Sequence, residues 1–363
     1  MTIRALCITE DADRPTIAMF IGLRRAGITL TFICPHFSDS HTGLTEAGFR
    51  VLDIQILKRL DFNAIRLLRN ELQDSHYHIM HIFSNKGLQN GLLAAFGIPI
   101  RIIAYRGIVG NVGFLDPISW MRFLNPRIDR IVCVADAVRD YFLQMRPAFL
   151  RMPAERPVTI YKGHSLDWYA NAPADLKEFG IPADAFVIGC VANIRPRKGI
   201  ELLVQAMADL PANWQAHLLL VGHMDAPTLS REIAASPADK RIHRVGYHHD
   251  SPSVAAACDV FVLPSIKREG LARSLIEAMA YGIAPIVTDC GGSPEVVVDG
   301  VSGLVVPAGN VTAISQGIRQ MHDDPEMRKR LDRDPESRIE YETAKMKARL
   351  SYDKLRKAVL DQE

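Results

Sequence analysis

Apolar runs and amphipathic stretches alternate along this chain in two series, separated by a proline-punctuated break. Ile3 to Thr9 reads as a strand. Pro15 to Ala26 follows as a helix, with Pro15 in its first turn and Gly27 just past its end. Ile28 to Cys34 is a second strand and Phe49 to Ile54 a short third. From Ile56 to Leu72 the spacing predicts a helix. Ile56, Leu60, Ile65, Leu68 and Leu72 share one face, while Lys58, Arg59, Arg66 and Arg69 lie largely elsewhere. Strands at His78 to Phe83, Ile100 to Tyr105 and Ile131 to Ala135 alternate with helices at Gly87 to Phe96 and Ala137 to Met145. Val158 to Tyr161 closes the series. The second series has strands at Phe186 to Ala192, Leu218 to Val221, Ile242 to Val245, Val260 to Leu263 and Ile283 to Thr288. Its helices run from Ile200 to Leu210, from near Gly270 to Tyr281, and from a cap at Asn310 to His322. Such alternation belongs to α/β folds, in which helices cover both faces of parallel sheets. Ligands then bind at loops that follow the carboxyl ends of the strands.

The length of 363 residues agrees with two domains. The chain is proline-punctuated between Pro147 and Pro157 and again from Asp167 to Asp184, which places a boundary near residue 164. The expected division is 1–163, 164–335, and a charged helical segment 336–363 that packs back on the N-terminal domain. A hydrophobic fraction of 48% and a charged fraction of 23% are ordinary for a soluble protein, and a net charge of +2 does not imply a nucleic-acid partner. Cys7, Cys34, Cys133, Cys190, Cys258 and Cys290 have neither metal-site nor CxxC spacing, so they read as buried reduced thiols of a cytoplasmic protein. The first ten residues read as a strand followed by acids, not as a signal peptide. No apolar run is long enough to span a bilayer. Any membrane contact is then peripheral, at the inner face of the plasma membrane.

Three features of the N-terminal half bear on chemistry. Asp11 and Asp13 form a DxD, a pattern that can hold a metal and a diphosphate; acids in an ordinary loop are the commoner case, and no metal is expected. His78 and His81 are three apart on a strand and point to opposite faces, so they do not chelate together. His81 reads either as a satisfied structural histidine or as a contact to an acceptor substrate. The loop Arg106 to Pro117 holds glycines at 107, 110 and 113 without an obvious helix after them. That argues against a dinucleotide fingerprint and for a flexible loop over an active-site cleft. Separately, Trp120, Met121, Phe123 and Leu124 stand among Arg122, Arg127 and Arg130. With the basic helix 56–72 they offer a surface for anionic lipid; alternatively, the apolar residues pack inward.

The C-terminal half concentrates its chemistry between Leu263 and Pro307. Glu269 lies in the loop after one strand, and Glu277 lies about two turns along a helix that starts near Gly270. Gly270 leaves room for a ligand, and free N–H groups at Leu271, Ala272 and Arg273 suit an anion. A basic loop, Arg195-Pro196-Arg197-Lys198-Gly199, precedes the helix from Ile200. Charge-assisted hydrogen bonds and a helix start together favour a polyphosphate there. Tyr247 flanks a nucleobase or sits at the core edge. His223, His248 and His249 lack zinc-site spacing.

Taken in order, Pro264-Ser265, Glu269-Gly-Leu271, Glu277-Ala-Met-Ala-Tyr-Gly282, Pro285, Gly291-Gly-Ser-Pro-Glu295, Asp299-Gly300 and Gly303-Leu-Val-Val-Pro307 resemble the glycosyltransferases of family 4, also called glycosyl transferases group 1. Arg197-Lys198-Gly199, Val221-Gly222, Tyr161-Lys-Gly163 and Asp129-Arg-Ile-Val-Cys-Val-Ala135 agree. The resemblance implies the GT-B architecture: two Rossmann-like, doubly wound domains facing across a cleft, the first for the acceptor and the second for a nucleotide sugar. It implies a metal-independent, retaining hexosyl- or related transferase without cofactor. The donor would be a nucleotide-diphosphate sugar, with UDP or GDP as its nucleotide. The acceptor would be a glycan or lipid-linked, in cell-envelope polysaccharide or lipopolysaccharide synthesis.

By the same resemblance Lys198 holds the donor diphosphate, Glu269 lies at the transferred sugar and Glu277 binds the ribose. Gly270, Leu271, Arg273 and Ser274 line the phosphates and sugar. Two positions depart from the family. Asn193 stands where an arginine is common, with Arg195 as its replacement. Arg106-Gly107 stands where a histidine-glycine pair is frequent, which favours an anionic group on the acceptor side. The glycine pair usual after the first strand is replaced by Asp11-Ala-Asp-Arg14. The alternatives are a GT-B sugar-nucleotide epimerase and a nucleotide-sugar-binding protein with weakened catalysis.

Overall fold

Aliphatic strands without polar alternation become the centres of two sheets in the computed structural model, which describes residues 2–146 and 150–333. The chain divides into two compact units, the first running to Gly163 and the second starting at His164. In unit 1, β1 (Arg4–Ile8), α1 (Arg14–Arg25), β2 (Thr29–Ile33), α2 (Asp39–Glu46) and β3 (Arg50–Leu52) come first. Then follow α3 (Phe62–Ser75), β4 (Ile79–Ile82), α4 (Asn85–Ala94) and β5 (Arg101–Arg106). The unit ends with α5 (Pro117–Trp120), β6 (Arg130–Cys133), α6 (Asp136–Leu143) and β7 (Pro157–Thr159). Its described strands form one parallel sheet in the order β3-β2-β1-β4-β5-β6-β7.

Unit 2 begins with β8 (Phe186–Val191), α7 (Ile200–Ala208), β9 (Ala216–Val221), α8 (Pro227–Ala235), β10 (Ile242–Gly246) and α9 (Ser251–Ala256). It continues with β11 (Val260–Leu263), α10 (Arg273–Ala280), β12 (Pro285–Thr288), β13 (Leu304–Val306), α11 (Val311–Asp323) and α12 (Pro325–Arg333). Its described strands are parallel, in the order β10-β9-β8-β11-β12-β13. Both sheets are of the doubly wound kind expected. Successive strand residues supply opposite faces. Ile188, Leu218, Val262 and Ile286 pack with Leu203 and Met207 of α7 and Ile314 and Ile318 of α11. Phe261, Leu263 and Val287 pack with Leu275 and Ala278 of α10. Burial on both faces explains why these strands read as continuous apolar runs.

Several helix limits differ from expectation for identifiable reasons. The helix expected from Ile56 begins only at Phe62, because Asp61 caps it by accepting the Ala64 N–H at 3.2 Å. Leu57 and Leu60 therefore stay outside the helix and exposed. Short α2, α8 and α9 had no apolar period long enough to announce them. In the segment 118–130, Phe123 and Leu124 turn inward while Trp120 and Met121 remain exposed. The six cysteines are buried free thiols, and burial pushes those of Cys133, Cys190 and Cys258 up to about 12. The expected segment 336–363 lies outside the described residues. Among the described residues no helix is long and apolar enough to cross a membrane.

One pair at the amino-terminal edge of the unit 2 sheet sets a pH dependence. His217 on β9 and His243 on β10 join Nδ1 to Nε2 at 2.9 Å, with rings stacked 5.1 Å apart. Burial lowers both pKa values. For His217, repulsion from His243 and Arg241 adds to the shift, and Asp184 opposes it. A lowered folded-state value means that the unfolded chain binds the extra protons first as pH falls. Stability should therefore be full above about 6.5 and decline below it. Urea midpoints measured from pH 7.5 to 5 should fall, and His243→Asn should flatten that fall. An equal slope in both proteins would refute this account.

Candidate functional site

Sheet order makes the loops after β8, β11 and β12 neighbours at one carboxyl edge of unit 2. Backbone bonds then fasten them together. The Ile266 N–H donates to the Arg197 carbonyl at 2.8 Å, and the Gly292 N–H to that of Gly270 at 2.7 Å. Arg197 Nη1 donates to the Arg268 carbonyl at 3.2 Å. Two glycines permit this closeness. A Cβ on Gly199 would lie 2.2 Å from the Pro264 carbonyl oxygen, and one on Gly291 would lie 2.0 Å from that of Glu269. Both have positive φ, 64° and 62°, where a side chain is also strained.

Glu269 is held at the centre of this arrangement, 5% exposed. Its Oε2 accepts from Lys198 Nζ at 2.7 Å and from Ser265 Oγ at 2.6 Å. Ser265 is itself fixed, since its carbonyl accepts the Thr288 hydroxyl at 2.5 Å. Ser265 belongs to the Pro264-Ser265 signature, but sequence reasoning gave it no role. The signal was a hydroxyl four residues before the glutamate. Lys198 and Glu269 thus form a nearly buried ion pair that joins the basic loop to the glutamate loop.

Two helix starts flank the pair. Gly199 is the N-cap of α7 and Ala272 that of α10, and among the described residues neither start has a side-chain cap. By contrast α1, α2, α3 and α4 are capped by Asp13, Ser38, Asp61 and Ser84. An uncapped start leaves backbone N–H groups and the positive helix end for an outside anion. The α10 start corrects an expectation, because it falls at Arg273 and not near Gly270. Gly270 and Leu271 belong to the approach, and the first turn begins at Arg273 and Ser274. Glu277 is then just over one turn along. It is buried, and its Oε1 lies 3.1 Å from Arg273 Nε.

The remaining expected residues divide. Asn193 holds a neighbouring loop, its Oδ1 accepting the His223 N–H at 3.0 Å. Arg195, the expected replacement, is exposed on the same loop. Tyr247 is 67% exposed and stacked on His223, with centroids 5.4 Å apart, so it is not a core-edge tyrosine. Among the described residues no cluster of three or more His, Cys, Asp or Glu could hold a metal ion.

Unit 1 changes two readings. Arg106, expected to offer an anion contact beside Gly107, is buried and turned to its own loop. It donates to the carbonyls of Ile108 (3.0 Å) and Gly110, and its guanidinium lies over the Phe123 ring. His81 is buried against Phe83, and among the described residues its Nε2 has no hydrogen-bond partner. It is thus not a satisfied structural histidine; burial pulls its pKa down to about 3 and keeps it neutral. Asp13 of the DxD caps α1 and meets Lys162 Nζ at 3.0 and 3.1 Å.

Comparison with known proteins bears on this geometry. A family model described as Glycosyltransferase Family 4 matches residues 16–168, and one described as Glycosyl transferases group 1 matches 171–337. The chain is 33% identical over 161 residues to a GDP-mannose-dependent monoacylated alpha-(1-6)-phosphatidylinositol monomannoside mannosyltransferase of Corynebacterium glutamicum, covering 42% of each. It is 29% identical over 221 residues to the lipopolysaccharide core biosynthesis mannosyltransferase LpsB of Rhizobium meliloti, covering 57% of this chain and 59% of LpsB. The chain spans about half the length of the curated relatives it matches. The solved structure of Anabaena Alr3699/HepE in complex with UDP-glucose shares its fold, with a TM-score of 0.78 at 19% identity, over 97% of this chain and 100% of that one.

Proposed function

From the premise that this chain is a glycosyltransferase of the family 4 kind with the GT-B fold, we propose that it takes a sugar from a nucleotide-diphosphate donor on unit 2 and transfers it to a glycan or lipid-linked acceptor. The observation that carries this reading is the Lys198–Glu269 pair set between two uncapped helix starts. A donor diphosphate is an anion that can take up the Lys198 ammonium and the N–H groups at Arg273 and Ser274. Glu269, held by Ser265 when Lys198 turns to the phosphates, then faces the sugar. Glu277 accepts the ribose hydroxyls. The named relatives act in glycolipid and lipopolysaccharide synthesis and one fold neighbour was solved with UDP-glucose, which supports UDP or GDP as the donor nucleotide and an envelope glycan as the product.

The reaction fits front-face substitution. The acceptor oxygen bonds to the anomeric carbon as the bond to the diphosphate breaks on the same face, so configuration is retained. The acceptor proton passes to the departing phosphate oxygen. The protein's part is to stabilise charge on that leaving group, an effect of roughly 3–4 kcal/mol per well-placed donor in other enzymes. No metal is needed where an ammonium and two helix starts supply the positive field.

The test is a donor screen. One of UDP-, GDP- or ADP-sugars should raise the melting temperature in a saturable way. Glu277→Gln should weaken that donor about tenfold, because a charge-assisted contact to the ribose is reduced by roughly 1–1.5 kcal/mol. Binding of none of the three, or an epimerised donor as the product without transfer, would sink the proposal.

A further inference from the structure

Part of unit 1 exposes side chains that a domain of this size ordinarily keeps inside. Leu57 and Leu60 lie on the loop that leads into α3 and Phe62 is the first residue of that helix, with Leu57 63% and Phe62 80% exposed. Trp120 and Met121 lie exposed at the end of α5. Both segments follow carboxyl ends of strands in one sheet, and α4 joins them. Asn90 Nδ2 donates to the Lys58 and Arg59 carbonyls at 3.1 and 3.2 Å, and its Oδ1 accepts the Asp61 N–H at 2.9 Å. Its buried neighbour Gln89 accepts from Arg122 through Oε1 at 3.4 Å. The apolar residues therefore form one region.

The same region is basic. Lys58 and Arg59 are exposed within it. Arg122 has its pKa lowered by burial and then by the neighbouring charge of Arg59, against the pull of Asp116. Two guanidinium groups held near one another call for an anion. Asp116 offsets part of the Arg122 charge and Asp61 part of the Lys58 charge, while both carboxylates also accept N–H bonds as the caps of α5 and α3.

We propose that this edge of unit 1 is a docking surface for an anionic lipid bilayer. Leu57, Phe62, Trp120 and Met121 enter the interface, and Lys58, Arg59 and Arg122 meet lipid phosphates. Apolar and aromatic side chains interleaved with cations suit the headgroup boundary, where anionic lipid attracts nearby Lys and Arg. A second copy suits the surface less, since a self-complementary contact would set base against base. The surface leads directly into the Arg106 to Asp116 loop, so a lipid-linked acceptor would be presented beside unit 1. The docking itself does not depend on the proposed transfer.

Sedimentation of the full chain with vesicles tests this without any sugar substrate. At low salt it should bind phosphatidylcholine vesicles that contain phosphatidylglycerol, and release at high salt. Lys58→Glu/Arg59→Glu and, separately, Leu57→Gln/Phe62→Gln should each lower partitioning at least about tenfold. The paired control Arg231→Glu/Lys240→Glu, at exposed sites of unit 2, should bind like the parent. All these positions are exposed, so melting temperatures should match and a loss of binding will not reflect misfolding. Equal binding to pure phosphatidylcholine, binding unchanged in both patch variants, or patch-dependent self-association without lipid would each overturn the proposal.

Discussion

Lys198→Ala is expected to lower sugar transfer about 10²–10³-fold, the effect of removing a charged donor from a developing anion. Two consequences can be separated. The first is local: Glu269 loses the ammonium at 2.7 Å and keeps the Ser265 hydroxyl on that oxygen. An unpaired buried carboxylate costs several kcal/mol, and removing one partner of a buried pair costs about 3–5 kcal/mol. Ser265 still bonds that carboxylate, so a modest fall in melting temperature is expected. The second is chemical: the leaving diphosphate loses its counter-charge, and calorimetry should show weaker nucleotide-diphosphate binding. The double variant Lys198→Ala/Glu269→Gln distinguishes the two. It should recover stability, because no bare charge is left, but should not recover transfer. Unchanged nucleotide affinity in Lys198→Ala, or activity restored by the double variant, would remove Lys198 from the role given to it.

The sheets were legible because buried parallel strands are written as short apolar runs, and the basic and glutamate loops because they stand directly after such runs. Helix starts were legible where a local signal announced them, such as the glycine before α7. Asn310 did so for α11. Asp61 also caps a helix, but the apolar spacing of Ile56 and Leu60 ran through it and hid the start of α3. Ala272 caps α10 with no side chain, so nothing in the sequence marked the true first turn. That silence is itself connected with the site, since a self-capped helix would leave less for an anion.

Long-range partners were not legible at all. Arg106 was read by analogy as an anion contact, but its guanidinium is satisfied by carbonyls of a loop whose Gly110 and Asn111 both have positive φ. No local pattern gives that path. Asp13 and Lys162 are 149 residues apart, and their ion pair joins the substituted loop after β1 to the Tyr161-Lys-Gly163 turn. The Asp11-Ala-Asp-Arg14 departure is thus answered within unit 1 by a second side chain. Ser265 was visible as a residue type but not as a partner, because its hydroxyl reaches Glu269 only after the loop has turned back on itself.

The closeness of those loops gives the other large effect, at Gly291. Alanine there should destabilise unit 2 by about 3 kcal/mol. Roughly 1–2 kcal/mol comes from a side chain at φ 62°, and the rest from overpacking against backbone. The Glu269 carbonyl oxygen would lie 2.0 Å from the new methyl. The adjoining Gly292 N–H is bonded to Gly270, so neither strand end can shift freely. For a unit of this size the melting temperature should drop by roughly 6–12 °C. Gly300→Ala is the matched control: its φ is 71°, but nothing lies within 4 Å of the added carbon. It should lose only the conformational part, about 1–2 kcal/mol. If the Glu269 loop instead gives way, the collision is relieved at the expense of the Lys198–Glu269–Ser265 cluster. Stability is then partly kept while transfer falls. Either outcome ties the glycine turn to the site. A Gly291→Ala protein as stable as Gly300→Ala and as active as the parent would show that the turn does not hold Glu269 in place.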